Sequence, residues 1–211
     1  MSVVAPPRYR LVLPPGFVLF PVRDRTDDEI AAMVREHYRS LPRDSFGPRI
    51  DRVAEQILEI VRPAREAQVL DLVVPMGVPW RAPVSLGIAL SVASPSSGAG
   101  AWDSLPGERL ETEAGPAVRT TERFPSAEDP REITRLAGTQ YVWRVPGDDA
   151  RLLLGVHTIS GAGDPDLQPV VEALQELSDL ILETMRWDEH DPSPADDTAP
   201  IGAEKQAEPQ P

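Results

Sequence analysis

Three histidines, 34 acidic residues and no cysteine are the raw material for chemistry in this chain of 211 residues. The absence of cysteine excludes a thiol nucleophile, a disulfide framework, iron–sulfur ligation and cysteine-based zinc sites. Histidine acts as base or ligand only beside a partner, and none of the three has one at a diagnostic spacing. His37 falls in the apolar stripe of an expected helix and His157 in a strand that reads as internal, so both are expected to be hydrogen-bonded core residues. Asp188-Glu-His-Asp191 has the composition of a metal-ligand cluster. Metal affinity needs preorganised geometry, and this segment opens a tail expected to be disordered, so no metal or cofactor is expected. Gly161-Ala-Gly-Asp-Pro-Asp166 lacks the Lys-Ser/Thr of a phosphate loop and the closing Glu of an EF-hand; a turn and a helix cap account for it. No G-x-S-x-G, H-E-x-x-H or G-x-G-x-x-G occurs. Carboxylates are plentiful, but acid–base work needs two of them in one cleft. No catalytic residue is assigned, and the alternative is a hydrolase or small-ligand protein with convergent Asp/Glu beside an arginine such as Arg119 or Arg144.

Tryptophans offer a different chemistry. Trp143 and Trp187 sit where they should pack against a sheet, whereas Trp80 and Trp102 fall in loops, where a large apolar ring is harder to bury. Loop tryptophans serve as binding hot spots, which makes Trp80 and Trp102 the candidate partner-binding residues. Each could instead fold back as a lid on the core edge.

The elements that would position these residues are clearest in the second half. Arg151-Leu-Leu-Leu-Gly-Val-His-Thr-Ile-Ser160 is apolar on both sides of the pleat, as in a central strand. After a Gly/Asp/Pro turn, with Asp164 or Asp166 as the helix cap, Leu167, Val170, Val171, Leu174, Leu177, Ile181 and Met185 recur at helical spacing. Thr139 to Val145 reads as a strand with Tyr141, Trp143 and Val145 facing together, joined by a Pro146–Asp149 hairpin turn to the strand at Arg151. Val84 to Val92 alternates cleanly, with Val84, Leu86, Ile88, Leu90 and Val92 opposite Ser85, Gly87, Ala89 and Ser91. That small-residue face is expected to meet solvent or a helix. Ala117 to Phe124 alternates as well, Trp102 to Arg109 is expected to add a short helix, and Ser94–Gly100 and Ser126–Arg131 to be loops. Strands joined by turns pair antiparallel.

In the first half, Tyr9–Leu13 and Phe17–Val22 read as short strands split by Pro14-Pro15-Gly16. Thr26-Asp-Asp-Glu29 is a capping box that opens a helix to about Leu41, with a buried stripe of Ile30, Met33, Val34, His37 and Leu41. Pro42-Arg-Asp-Ser45 is expected to cap a second helix, with Pro48 in its first turn and an apolar face of Ile50, Val53, Ala54, Ile57, Val61 and Ala64. Pro63 should kink or end it near Val61. Leu70 to Val74 follows as a strand. Residues 1–187 are thus one α+β domain, an antiparallel sheet with an N-terminal helical pair and a long C-terminal helix packed on it. Residues 188–211 form an acidic, Pro-rich tail expected to be disordered.

The formal charge is −13. So acidic a chain is a poor match for nucleic acid, which is bound by Lys and Arg displacing counterions. No apolar run reaches the roughly 20 residues that span a bilayer, so no membrane insertion is expected. The first residues lack a signal-peptide pattern, and the cytoplasm is the expected location. The 20 arginines against one lysine, with no asparagine, point to the codon bias of a GC-rich genome.

Arg8-Tyr-Arg-Leu-Val-Leu-Pro-Pro-Gly-Phe17, Pro21-Val-Arg-Asp-Arg-Thr-Asp-Asp-Glu29, Leu41-Pro-Arg-Asp44, Thr158-Ile-Ser160 and Met185-Arg-Trp187 resemble a group of uncharacterised actinobacterial proteins associated with type VII secretion loci. The resemblance implies a Mog/PsbP-like fold and no catalytic motif. The chain departs from the lipoprotein branch of that fold in having no lipidated cysteine. Fold analogy by itself does not carry function. With the loop tryptophans and the small-residue strand face, it leads to the expectation of a non-catalytic protein-binding module, an accessory or chaperone for an exported protein. An immunity-type protein that neutralises a toxin is a further alternative.

Overall fold

The computed structural model describes residues 7–77, 82–95, 102–124 and 136–188. In chain order its elements are β1 (Tyr9–Arg10), β2 (Phe17–Pro21), α1 (Asp27–His37), α2 (Arg43–Glu66), β3 (Val69–Pro75), β4 (Leu86–Ala93), β5 (Glu108–Thr112), β6 (Gly115–Phe124), β7 (Leu136–Val145), β8 (Asp148–Ile159), α3 (Gln168–Glu183) and β9 (Arg186–Trp187). Seven strands form one sheet in the order β2-β3-β4-β8-β7-β6-β5, and every neighbouring pair in it is antiparallel. The fold is therefore α+β, a large antiparallel sheet with three helices. Strands β1 and β9 pair separately, Tyr9 opposite Trp187. No described helix is long and apolar enough to cross a membrane.

The pleat divides the core. Leu72 joins a cluster with Phe20, Val22, Ile30, Val34, Ala54, Ile57 and Val61, drawn from β2, β3, α1 and α2. Its neighbour Val73 joins Ile88, Leu90, Tyr141, Trp143, Leu153, Ile181, Leu182 and Met185, so α3 covers the opposite face. Two-residue periodicity forces this split, because successive side chains leave a strand in opposite directions. Farther along the α1/α2 face, Trp102, Val118, Val142 and Leu152 make a smaller cluster, with Leu105 and Leu154 packed against it. On β4, Ala89 packs on the helical cluster while Leu86, Ile88 and Leu90 are buried on the other side.

Gly155 lies under α3. A Cβ there would sit 2.8 Å from Leu182 Cδ2 and 3.1 Å from the Trp143 ring. The missing side chain is what lets helix and sheet approach. Leu182 can move its tip but the indole cannot, so Gly155→Ala should cost about 1–2 kcal/mol of overpacking. A urea midpoint equal to the parent's would show that α3 yields freely.

The capping box forms as expected, with Glu29 N–H donating to Thr26 Oγ1 and Thr26 N–H to Glu29 Oε2. Other expectations need correction. The first strand is only two residues long: Val12 donates its N–H to Thr184 Oγ1, and Leu11 and Leu13 instead pack against the α3-side cluster. Helix α1 stops at His37, not Leu41, so His37 and Leu41 are exposed and Tyr38 takes the inward position, its hydroxyl donating to Met76 O at 2.7 Å.

Helix α2 begins at Arg43 with Pro42 as a cap that offers no side-chain acceptor, which leaves Pro48 beyond the first turn. Pro63 does not end it. The ring lies on the exposed side, where water can reach the freed carbonyl, and Arg65 holds the last turn by bonds to Val22 O, Asp27 Oδ1 and Arg25 O. The chain leaves the helix at Gln68, whose φ is 60°. Neither Asp164 nor Asp166 caps α3. Leu167 occupies that place, and Asp164 Oδ1 instead accepts from Asp166 N–H in a tight turn. The short helix expected at 102–109 is a turn followed by β5.

Candidate functional site

The cleft of interest crosses the end of the sheet, between the β5–β6 turn and the β7–β8 turn. Trp102, Ala114, Pro116, Arg144, Pro146 and Trp187 line it, around roughly 170 Å³. Four separate stretches of chain supply these residues. Trp102 precedes β5, Pro116 opens β6, Arg144 and Pro146 flank the end of β7, and β9 delivers Trp187. Pairing with β1 and a bond from Trp187 Nε1 to Ala114 O, 3.1 Å, hold the last ring in place.

Trp102 is 7% exposed and forms part of a core cluster, so the expectation that a loop ring is hard to bury fails for it. The guanidinium groups of Arg109 and Arg144 lie over the ring, 5.1 and 5.3 Å from its centroid. Attraction between a cation and the negative face of an indole explains why so large a side chain closes down outside a regular element. Arg109 is fixed further by a bond to Trp102 O at 2.9 Å, whereas Arg144 reaches out to Asp103 at 3.0 Å. A partner would meet Trp102 at its edge and through Arg144. Trp80 lies outside the described residues.

The histidine expected to be a core residue is one. His157 is fully buried, with Nε2 2.8 Å from Asp179 Oδ1 and no protein partner for Nδ1 among the described residues. Arg119, placed across β7 from it on β6, pairs with Glu108 at 2.6 Å and comes within 4.0 Å of Asp179. The Tyr141 hydroxyl donates to Glu183 Oε1 at 3.1 Å. Burial pushes the Tyr141 phenol up, the Arg119 guanidinium draws it down, and Asp179 and Glu183 raise it again. Arginine and carboxylates therefore do converge between the sheet and α3. The imidazole they surround is sealed from solvent, which suits a packing network and gives a substrate no approach.

A second opening, of about 440 Å³, lies where β1 and β9 meet β3, lined by Pro7, Arg8, Tyr9, Arg23, Asp24, Leu70, Asp71 and Asp188. The Tyr9 hydroxyl donates to Asp71. Burial holds the Asp71 carboxyl above its usual range; the Tyr9 bond opposes that and nearby Asp24 adds to it. Of Asp188-Glu-His-Asp191, Asp188 pairs with Arg10 at 2.6 Å, and residues 189–191 lie outside the described residues. Among the described residues no group of acidic or histidine side chains is arranged to hold a metal ion.

An acid whose folded pKa exceeds its unfolded value binds more protons in the native state. Stability then falls as pH rises from the ordinary carboxylate value through the raised one. Asn cannot ionise but can still accept from Tyr9. The stability of Asp71→Asn relative to the parent should therefore increase between about pH 3 and about pH 7 in urea titrations. A difference that stays constant with pH would contradict this.

Sequence reasoning singled out Trp102 and considered Arg144, but it did not join them to Trp187, Pro116 and Pro146. Compared with known proteins, the chain matches no family model, no curated protein and no solved structure.

Proposed function

We propose that the chain is a non-catalytic protein-binding module and that the Trp102–Trp187 cleft is part of its docking surface. The supporting observation is the lining, in which indole rings, two prolines and a single arginine meet at the end of the sheet. Tryptophan and arginine are the side chains that most often carry binding energy at interfaces. Trp80 belongs to the same proposal as a second contact. The finer parts rest on the sequence: the resemblance suggests a Mog/PsbP-like fold and an exported polypeptide as the client of an accessory or chaperone, and the first residues, without a signal-peptide pattern, suggest a cytoplasmic location. Docking of an amphipathic helix of that client against the sheet is the expected mode.

The test is affinity capture with the full-length chain from the native organism, beside the same chain carrying Arg144→Glu. Arg144 has a half-exposed side chain, and in the variant Arg109 still covers the Trp102 ring. A stoichiometric polypeptide retained by the parent and at least tenfold depleted with the variant supports the proposal. Equal retention would move the interface elsewhere, and no retained polypeptide would sink the binding-module reading.

A small-ligand or hydrolytic carboxylate site is a second proposal, favoured by the opening at Asp71. Its partly buried carboxyl has Asp24 and Asp188 in the same wall. A ligand screen by thermal shift, parent against Asp71→Asn, would reveal it through hits that vanish in the variant.

A further inference from the structure

We propose that the Trp102–Trp187 cleft is occupied by the chain's own acidic, proline-containing segment just beyond Trp187, within residues 191–197, which thereby competes with any external partner. This rests on the proposal that the cleft binds polypeptide, and it specifies the occupant and the regulation of that site.

Chemistry of the lining comes first. Of the six lining residues Arg144 alone is charged, and the rest are tryptophan, proline and alanine. Such a surface suits an apolar ring that packs on the Trp187 indole and on pyrrolidine, next to a carboxylate that reaches the guanidinium. It presents a guanidinium on a chain whose formal charge is −13. Asp191-Pro-Ser-Pro-Ala-Asp-Asp197 carries both features, two prolines flanked by three aspartates. Proline fixes φ near −65°, so ordering such a segment costs less conformational entropy than ordering an average one.

Reach comes second. Trp187 forms part of the cleft wall, and Pro192 follows it by five residues, a span of up to about 17 Å in extended chain. A tether that short gives an effective concentration on the order of millimolar, enough to fill a weak site without any partner. Displacement of what now faces Arg144 costs little. Asp103 pairs with it at 3.0 Å from a side chain that is 76% exposed, and pairs of that kind contribute little to stability.

The experiment uses full-length protein and follows the indole N–H signals of Trp102 and Trp187 by nitrogen-15 NMR. The parent is compared with a full-length variant carrying Pro192→Ser, Pro194→Ser, Asp196→Asn and Asp197→Asn, and both are titrated with a synthetic peptide of residues 189–200. We expect the variant's two signals to be displaced from the parent's. Added peptide should return them to the parent positions, with half-saturation on the order of 0.1 mM, well below the effective concentration of the tethered segment. Adding Arg144→Glu to the variant should abolish that return, and the parent should not respond to the peptide. Two signals unmoved in the variant would overturn the inference. If the peptide then shifted them saturably in the parent, the cleft would still bind polypeptide and only its occupation by the tail would fall. If the peptide shifted neither protein, the cleft would bind no peptide of this chemistry, and capture with Arg144→Glu would decide whether it binds any other. Parent signals that move with protein concentration would mean a second copy's tail is the occupant, which also overturns docking within one chain.

Discussion

Trp143→Ala is expected to lower the unfolding free energy by about 3–5 kcal/mol, the largest effect of any single truncation considered. The indole is fully buried, stacks on Tyr141 with ring centroids 5.6 Å apart, and donates from Nε1 to Thr112 Oγ1 at 3.0 Å. Truncation removes the apolar contacts with α3 and β8, leaves a cavity beneath the helix and takes one donor from Thr112 Oγ1, which keeps its bonds to Gly115 O and Ala114 N–H. Gly155 makes collapse of that cavity difficult, because it has no side chain with which to fill it. Urea unfolding followed by circular dichroism measures the loss. A cost below about 1 kcal/mol would mean that α3 settles into the space, contrary to the rigid packing inferred here.

Asp179→Ala is expected to cost about 2–3 kcal/mol, while His157→Leu costs less than about 1 kcal/mol. The asymmetry follows from burial. His157 has no exposure and, among the described residues, a single hydrogen-bond partner, so loss of Asp179 leaves both ring nitrogens unsatisfied in a site where Ile88 and Thr139 flank it on the neighbouring strands. Leucine removes the need for that partner altogether, and Asp179, which is partly exposed, keeps solvent and the approach to Arg119. Denaturant titration of both variants and of the double variant distinguishes the cases. If His157→Leu proved as costly as Asp179→Ala, the imidazole would itself be stabilising, through a contact at Nδ1.

Much of the architecture was legible because its signals are local. The alternation of β4, the helical spacing of α3, the Thr26–Glu29 capping box and the shared inward face of Tyr141, Trp143 and Val145 all appear within a few residues of sequence. What failed depended on distant partners. Nothing near Pro63 indicates that Arg65 will anchor the last helical turn to α1, and nothing near Tyr9 indicates that Trp187 will pair with it. His37 looked buried because its spacing continues the stripe, yet the helix ends there and Tyr38 turns inward. For the cleft, composition pointed to one loop tryptophan. The guanidinium groups that bury it come from β5 and β7, and the second tryptophan comes from β9, so no window of sequence contains the site.

The central pairing of β4 with β8 bears on how this chain reaches its native state. Strands β5 to β8 follow one another as hairpins, but β4 and β8 join residues roughly 60–70 positions apart, and among the described residues their eight paired positions are the one strand ladder between the two halves of the sheet. Closure of so long a loop carries a larger entropic penalty than any hairpin in the molecule, and it is repaid only when Ile88 and Leu90 meet Leu153 and α3. Assembly of the seam is therefore the expected slow step of folding. The amides of residues 86–93 and 152–159 should be the last to exchange with deuterium, because they open only when the two halves separate.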